Sequence, residues 1–262
     1  MSLPLFQVDA FTGQTFRGNP AAVVLLDDWI GDDVMQAIAR ENNLSETAFV
    51  GPATADGADF SIRWFTPTTE VDLCGHATLA AAHVLFNHRD HKSDRVVFES
   101  KSGLLPVTRD NGSLVLDFPA WNAEPVEITN DLVEALGARP SECYRSRDLL
   151  AVFESKKDVL GLRPDFRRIA ALNGHGVIVT APGAGHDFVS RFFAPSLGVD
   201  EDPVTGSAHC TLTPYWSKRL GKRSLTAHQV SRRGGEMRCT MNGDRVHLAG
   251  RAVTYLEGTI AV

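Results

Sequence analysis

Asp59-Phe60-Ser61-Ile62-Arg63-Trp64-Phe65-Thr66-Pro67 recurs as Asp187-Phe188-Val189-Ser190-Arg191-Phe192-Phe193-Ala194-Pro195, with every shared residue displaced by 128 positions. Further on, Gly75-His76-Ala77 matches Gly206-Ser207-Ala208 at a displacement of 131, which holds for Ser100 and Ser231, Gly103 and Gly234, and Asn111-Gly112 and Asn242-Gly243. A constant register over two long windows reads as two copies of one fold and not as a solenoid, whose units run only ~20–50 residues. The change of displacement implies a three-residue insertion between Pro195 and Gly206, within SLGVDEDPVTG.

The local patterns agree. Phe6–Ala10, Ala21–Leu26, Thr47–Val50, Phe60–Phe65, Val96–Phe98, Leu104–Thr108 and Leu114–Phe118 have the apolar and β-branched character of strands bounded by turn residues. Gly31-Asp32-Asp33 opens a helix with acids in its first turn. Gly75–Phe86 is apolar on nearly every side and predicts a buried helix. The second half is expected to have helices at Pro164–Leu172 and Gly206–Leu220 and a hairpin turning on Asn242-Gly243. The expected fold is α+β, with two pseudo-symmetric domains, each a mostly antiparallel, barrel-like sheet wrapped around one central helix. The boundary is placed near Ala120–Pro125. Residues 1–120 form the first domain and 121–262 the second, and the last strand, near 252–262, is a candidate to join the first. A cleft is expected between the halves.

Of the 262 residues, 43% are hydrophobic and 22% charged, and the formal net charge is -6. That balance argues against nucleic-acid or anionic-membrane partners, which select a basic face. No signal peptide or membrane-spanning run is apparent, and four dispersed cysteines (Cys74, Cys143, Cys210, Cys239) suit a reducing, cytoplasmic setting. Phosphate-loop GxxxxGKS/T, dinucleotide GxGxxG, GxSxG and HExxH motifs are absent. His83, His88 and His91 lack matching ligands and read as helix-end and loop residues, not a metal site. Lys218, Arg219, Lys222 and Arg223 read as a solvated helix end.

The chemistry is expected at the starts of the two central helices, Leu73-Cys74-Gly75-His76-Ala77 and Val204-Thr205-Gly206-Ser207-Ala208. The first N–H groups of a helix lack intrahelical partners, carry partial positive charge and bind carboxylates or phosphates. A small anionic ligand is therefore expected near Gly75 and Gly206. Glu46, in Asn42-Asn43-Leu44-Ser45-Glu46-Thr47, opens an apolar strand, where partial desolvation suits general acid/base work. At a displacement of 128 its counterpart is Gly174, so the carboxylate exists in one half only. His76 lies where a helix dipole disfavours the imidazolium. Asp202 gains interest from lying in the insertion; Glu201 reads equally well as a turn or helix-start acid. Cys74 reads either as a packed thiol or as an activated one, and its counterpart is Thr205.

The runs Val8-Asp9-Ala10-Phe11, Phe16-Arg17-Gly18-Asn19-Pro20-Ala21, Glu41 to Thr47, Leu73 to Thr78 and Glu201 to His209 together resemble the phenazine-biosynthesis PhzF-like family over nearly the whole chain. The resemblance implies a diaminopimelate epimerase-like fold, a homodimer, and an isomerase that needs neither metal nor organic cofactor. It implies Glu46 as the proton shuttle, with His76 and Asp202 beside it, and it places Gly206 and Ser207 at the same site. Asn19, Ser45, Gly75 and Thr205 complete the expected substrate-binding set. The epimerase relatives use one cysteine from each half. Thr205 in the second position disfavours a two-thiol mechanism and favours one-base proton transfer.

Overall fold

In the computed structural model, residues 1–89, 91–172 and 174–262 are described. The chain divides into two compact units, Met1–Asp117 with Ala249–Val262, and Phe118–Leu248.

The first unit opens with β1 (Ser2–Ala10) and β2 (Asn19–Leu25), followed by α1 (Asp32–Asn42), β3 (Glu46–Gly51), β4 (Phe60–Phe65), β5 (Glu70–Val71), α2 (Gly75–His88), β6 (Arg95–Ser100), β7 (Gly103–Asp110) and β8 (Ser113–Pro119). The second carries β9 (Glu124–Pro125), α3 (Asn130–Leu136), β10 (Glu142–Arg145), β11 (Leu149–Val152), α4 (Lys156–Gly161), α5 (Phe166–Ala171), β12 (Val177–Pro182), β13 (Phe188–Ala194), β14 (Val199–Asp202), α6 (Gly206–Leu220), β15 (Ser224–Gln229), β16 (Gly235–Asn242) and β17 (Arg245–Gly250). The last strand, β18 (Ala252–Ala261), pairs antiparallel with β1 in the first unit.

The two pairing schemes match. In the first unit β2–β3 and β4–β6 are parallel, while β3–β4, β4–β5 and β6–β7 are antiparallel. In the second, β11–β12 and β13–β15 are parallel, while β12–β13, β13–β14 and β15–β16 are antiparallel. The α+β duplication read from the sequence is present.

The reasons for the repeated residues are visible in both copies. Asp59 donates its N–H to the Val97 carbonyl at 2.8 Å, and its carboxylate accepts from the Val97 N–H at 2.8 Å. Asp187 does the same with Thr226, at 2.9 and 2.8 Å. Each Asp thereby fixes the start of a parallel strand pair. Arg63 forms a two-pronged bridge to Glu70 at 2.8 and 2.9 Å, and Arg191 forms one to Glu201 at 2.7 and 2.9 Å. The guanidinium also lies over Phe65 in the first copy and over Phe193 in the second. Such forks match the planar guanidinium to the carboxylate and are stronger than single contacts.

These pairs relocate the insertion. Because Glu201 plays the part of Glu70, the three extra residues fall before Glu201, in the turn after β13 that contains Pro195–Leu197 and Gly198. Asp202 is therefore outside the insertion. It stands opposite Phe192, as Val71 stands opposite Trp64, so the two copies differ there by substitution.

The central helices are enclosed. Every residue of α2 from Gly75 to Ala82 is buried, and the helix packs against β1, β2, β3 and β18. Helix α6 packs on β15 and β16, and its Trp216 stacks on Phe188 and donates to Thr180 Oγ1 at 3.0 Å. Pro214 lies inside α6 and supplies no N–H to the Cys210 carbonyl one turn earlier. Trp121 donates to that carbonyl instead, at 2.9 Å. The helix expected at Pro164–Leu172 is α5, which begins later because Asp165 caps it, accepting from the Arg167 and Arg168 N–H groups at 3.0 and 3.2 Å.

The Arg191–Glu201 bridge is mostly buried, with side chains 13% and 21% exposed, whereas the Arg168–Glu134 pair is 53% and 58% exposed. Breaking a buried pair strands a charge, whereas an exposed pair contributes little. Arg191→Met is expected to lower unfolding free energy by about 2 kcal/mol and Arg168→Met by less than about 0.5 kcal/mol, read by urea denaturation. Equal shifts would contradict a structural role for the fork.

Candidate active site

Helix α1 ends at Asn43, which adopts the left-handed conformation (φ 49°) and donates its N–H to the Ala39 carbonyl. Asn tolerates this geometry better than most residues. The Asn42 amide donates to Thr47 Oγ1 at 3.1 Å, tying the helix end to the start of β3. Ser45 lies in the intervening bend, half-buried, and Glu46 is the first residue of β3, in parallel register with Ala21 of β2. Asn19, the first residue of β2, is fully buried.

His76 lies in the first turn of α2. Its Nε2 is 3.2 Å from Glu46 Oε2, and the side chains are 5% and 17% exposed. Its Nδ1 is 3.5 Å from the Cys74 thiol. Burial pushes the His76 pKa down to about 3. The Glu46 carboxylate nearby favours the imidazolium, but desolvation of a fully enclosed ring outweighs it, so the ring is neutral at physiological pH. His76 Nε2 is buried and has no hydrogen-bond partner among the described residues, although the carboxylate lies within contact distance. A buried polar atom left this way costs free energy that a bound polar group recovers.

The start of α6 is organised differently. Thr205 is its N-cap residue, but its hydroxyl makes no capping bond and donates instead to Asp202 Oδ2 in a short contact. Gln229 clamps the pair. Its Oε1 accepts from the Thr205 N–H at 2.9 Å, and its Nε2 donates to the Asp202 carbonyl at 2.7 Å. His209 Nδ1 is 2.7 Å from the Thr205 carbonyl, and burial pushes its pKa down to about 4. Gly206 is buried and Ser207 half-buried in this first turn. Cys74, which precedes α2, likewise makes no side-chain capping bond to that helix. Both helix starts therefore keep N–H groups uncapped by the preceding side chain, the arrangement that binds anions.

Thus Glu46, Cys74, Gly75 and His76 come together in the first unit, and Asp202, Thr205, Gly206 and Ser207 in the second. Sequence reading missed Gln229 and His209. Gln229 reaches Thr205 from 24 positions away, and no spacing signals that contact. His209 follows Thr205 by one helical turn, a spacing that could have marked it.

Strand register also corrects the counterpart of Glu46. Thr47 pairs with Phe65 as Val177 pairs with Phe193, so Glu46 corresponds to Gly176 and not to Gly174. The copies slip by two residues in the connection that follows the strand, where Gly51 pairs with Ser61 but Ala181 with Val189. A Cβ at Gly176 would lie 2.5 Å from the Phe192 ring and 2.9 Å from the Phe193 carbonyl oxygen. The second copy has no room for a carboxylate at this position.

Glu46, Cys74 and His76 also offer one ligand atom each within 4.8 Å of one another, a set a soft divalent cation could accept. His76 turns different nitrogens toward Cys74 and Glu46.

Comparison with known proteins decides the family. The model of the phenazine biosynthesis-like protein family, PhzC-PhzF, matches residues 8–258. The chain belongs to that family. An uncharacterized isomerase of Pseudomonas aeruginosa is 56% identical over 261 residues, covering 99% of both chains. A crystal structure of a PhzF-family phenazine biosynthesis protein from Enterococcus faecalis is 47% identical and superposes with a TM-score of 0.96 over 100% of both chains. A protein from Pseudomonas aeruginosa described as a predicted epimerase shares the fold, with a TM-score of 0.77, 20% identity and 99% coverage of both chains.

Three histidines carry a pH signature. His76, His83 and His209 bind their protons less readily folded than unfolded, with pKa values of about 3, about 4 and about 4 against an ordinary 6.5. The stability they contribute is complete above pH 6.5 and is lost as pH falls toward 4. Asp148, raised by burial to about 6, acts in the opposite sense but is outnumbered. The thermal midpoint is expected to fall steadily from pH 6.5 to pH 4, as followed by circular dichroism. A midpoint flat over that range would contradict neutral burial of these rings.

Proposed function

We propose that this PhzF-family chain is an isomerase that moves a carbon-bound proton on a small carboxylate-bearing metabolite without a cofactor, with Glu46 as the acid/base group. The observation that carries the reading is the Glu46 carboxylate facing the neutral, unsatisfied Nε2 of His76 at 3.2 Å in a mostly buried setting. The names of the relatives, isomerases among them, support the reaction class.

The carboxylate removes an acidic C–H proton and becomes the carboxylic acid. The electron pair delocalises into the substrate, and Glu46 returns the proton to a different carbon. No net charge or atom is gained, which is isomerisation. Neutral His76 polarises or orients the substrate from the same turn. In this reading Asp202, held by Thr205 and Gln229, serves the same reaction. The N–H groups near Gly75 hold the substrate carboxylate, and Asn19 and Ser45 contact the substrate; Thr205, Gly206 and Ser207 are further substrate-binding candidates. The proposed setting is a cytoplasmic homodimer, checked by light scattering and fractionation. No helix among the described residues is long and apolar enough to cross a membrane.

A second reading, an epimerase with Cys74 as a base, rests on the 3.5 Å contact between the Cys74 thiol and His76 Nδ1. A screen of small carboxylic acids in deuterated water separates the two. Positioned acid/base groups contribute ~10²–10⁴-fold, so Glu46→Gln should slow deuterium incorporation by that factor while Cys74→Ser retains it. Exchange lost in Cys74→Ser but kept in Glu46→Gln would favour the epimerase. Tight binding without exchange for any ligand would point to a non-catalytic binding protein.

A further inference from the structure

A second group of metal-competent side chains lies in the second unit. His186, His228 and Glu236 each offer one ligand atom, and these atoms all lie within 4.8 Å of one another. We propose that they form a surface binding site for a divalent transition metal such as zinc, clipping the β12–β13 hairpin to the β15–β16 ribbon.

Three features of the backbone prepare this arrangement. His228 of β15 and Glu236 of β16 stand directly opposite each other in antiparallel register, a placement that brings side chains on one face together. His186 sits at the end of the hairpin connection, next to Asp187. Asp187 is itself fastened to β15: its N–H donates to the Thr226 carbonyl, and its carboxylate accepts from the Thr226 N–H and from Lys222, the latter at 2.5 Å. Thr226 and His228 lie two positions apart on one strand and so share a face. Anchoring Asp187 on Thr226 therefore delivers His186 to His228, and their rings are 5.1 Å apart. His186 Nε2 lies 3.3 Å from Glu236 Oε1.

One flank of the His228 ring faces a glycine. Gly234 (φ +66°) approaches the His228 ring, and a Cβ there would lie 3.3 Å from His228 Nε2. Glycine keeps that flank of the ring uncrowded. Two imidazoles and one carboxylate match the donors that zinc and neighbouring divalent metals accept, leaving a further position for water. Calcium and magnesium prefer all-oxygen sets and fit poorly.

The test uses the full chain at pH 8, where an ordinary imidazole, pKa about 6.5, is neutral. Zinc binding is measured by calorimetry, and cobalt(II) absorption reports the ligand set. His228→Ala and His186→Ala should each weaken zinc binding by at least about tenfold, since even outer-shell losses cost that much. Glu236 is 68% exposed, so Glu236→Gln keeps the fold intact and should also weaken binding and abolish the zinc-dependent rise in thermal midpoint. Cys74→Ser should retain this binding event, and magnesium should give none. Absence of zinc binding, unchanged affinity in all three variants, or loss confined to Cys74→Ser would overturn the proposal.

Discussion

A helix that is apolar on nearly every side must be covered on every side, and α2 imposes this condition on the first unit. Every residue from Gly75 to Ala82 is buried, and strands on several sides are needed to enclose the helix. Any polar group carried into the first turn is desolvated by the same enclosure. His76 is such a group, and its neutrality follows from the burial that stabilises the fold. A charged imidazole there would lose hydration that one neighbouring carboxylate does not replace. Glu46 lies at the edge of this enclosure, beside His76, and is still 17% exposed.

The duplication separates framework from chemistry. The Asp that starts each parallel pairing and the Arg–Glu fork recur in both copies with partners at equivalent positions and nearly the same distances. The differences concentrate at the helix starts. Glu46 stands against Gly176, Val71 against Asp202, and Cys74 against Thr205. Packing enforces the first difference, because the Phe192 ring occupies the space beside Gly176. One copy presents a carboxylate to a neutral ring, and the other an Asp–Thr–Gln cluster.

Much of the framework was legible in the residues. The buried helices, the order of strands and the turn glycines follow from periodicity and local chemistry. The errors came where local pattern cannot fix register. A two-residue slip in a connection leaves no mark on flanking strands that are both apolar, so the residues alone pair Glu46 with Gly174. The insertion was assigned to the stretch containing Asp202, because only the Arg191–Glu201 bridge shows which acid corresponds to Glu70. Gln229 was invisible for the same reason, since its partners come from the far side of a helix in sequence. Pro214 would ordinarily argue against a continuous α6, and its tolerance depends on Trp121 satisfying the Cys210 carbonyl.

The chemistry proposed at the start of α2 depends on His76 being neutral beside Glu46. Nitrogen-15 NMR of histidine-labelled protein, with His76 assigned by comparison with His76→Gln, measures this directly. The account predicts ring nitrogen shifts of a neutral imidazole from pH 7.5 down to pH 5, with no titration near 6.5. A His76 signal that becomes imidazolium with a midpoint near 6.5 would contradict it.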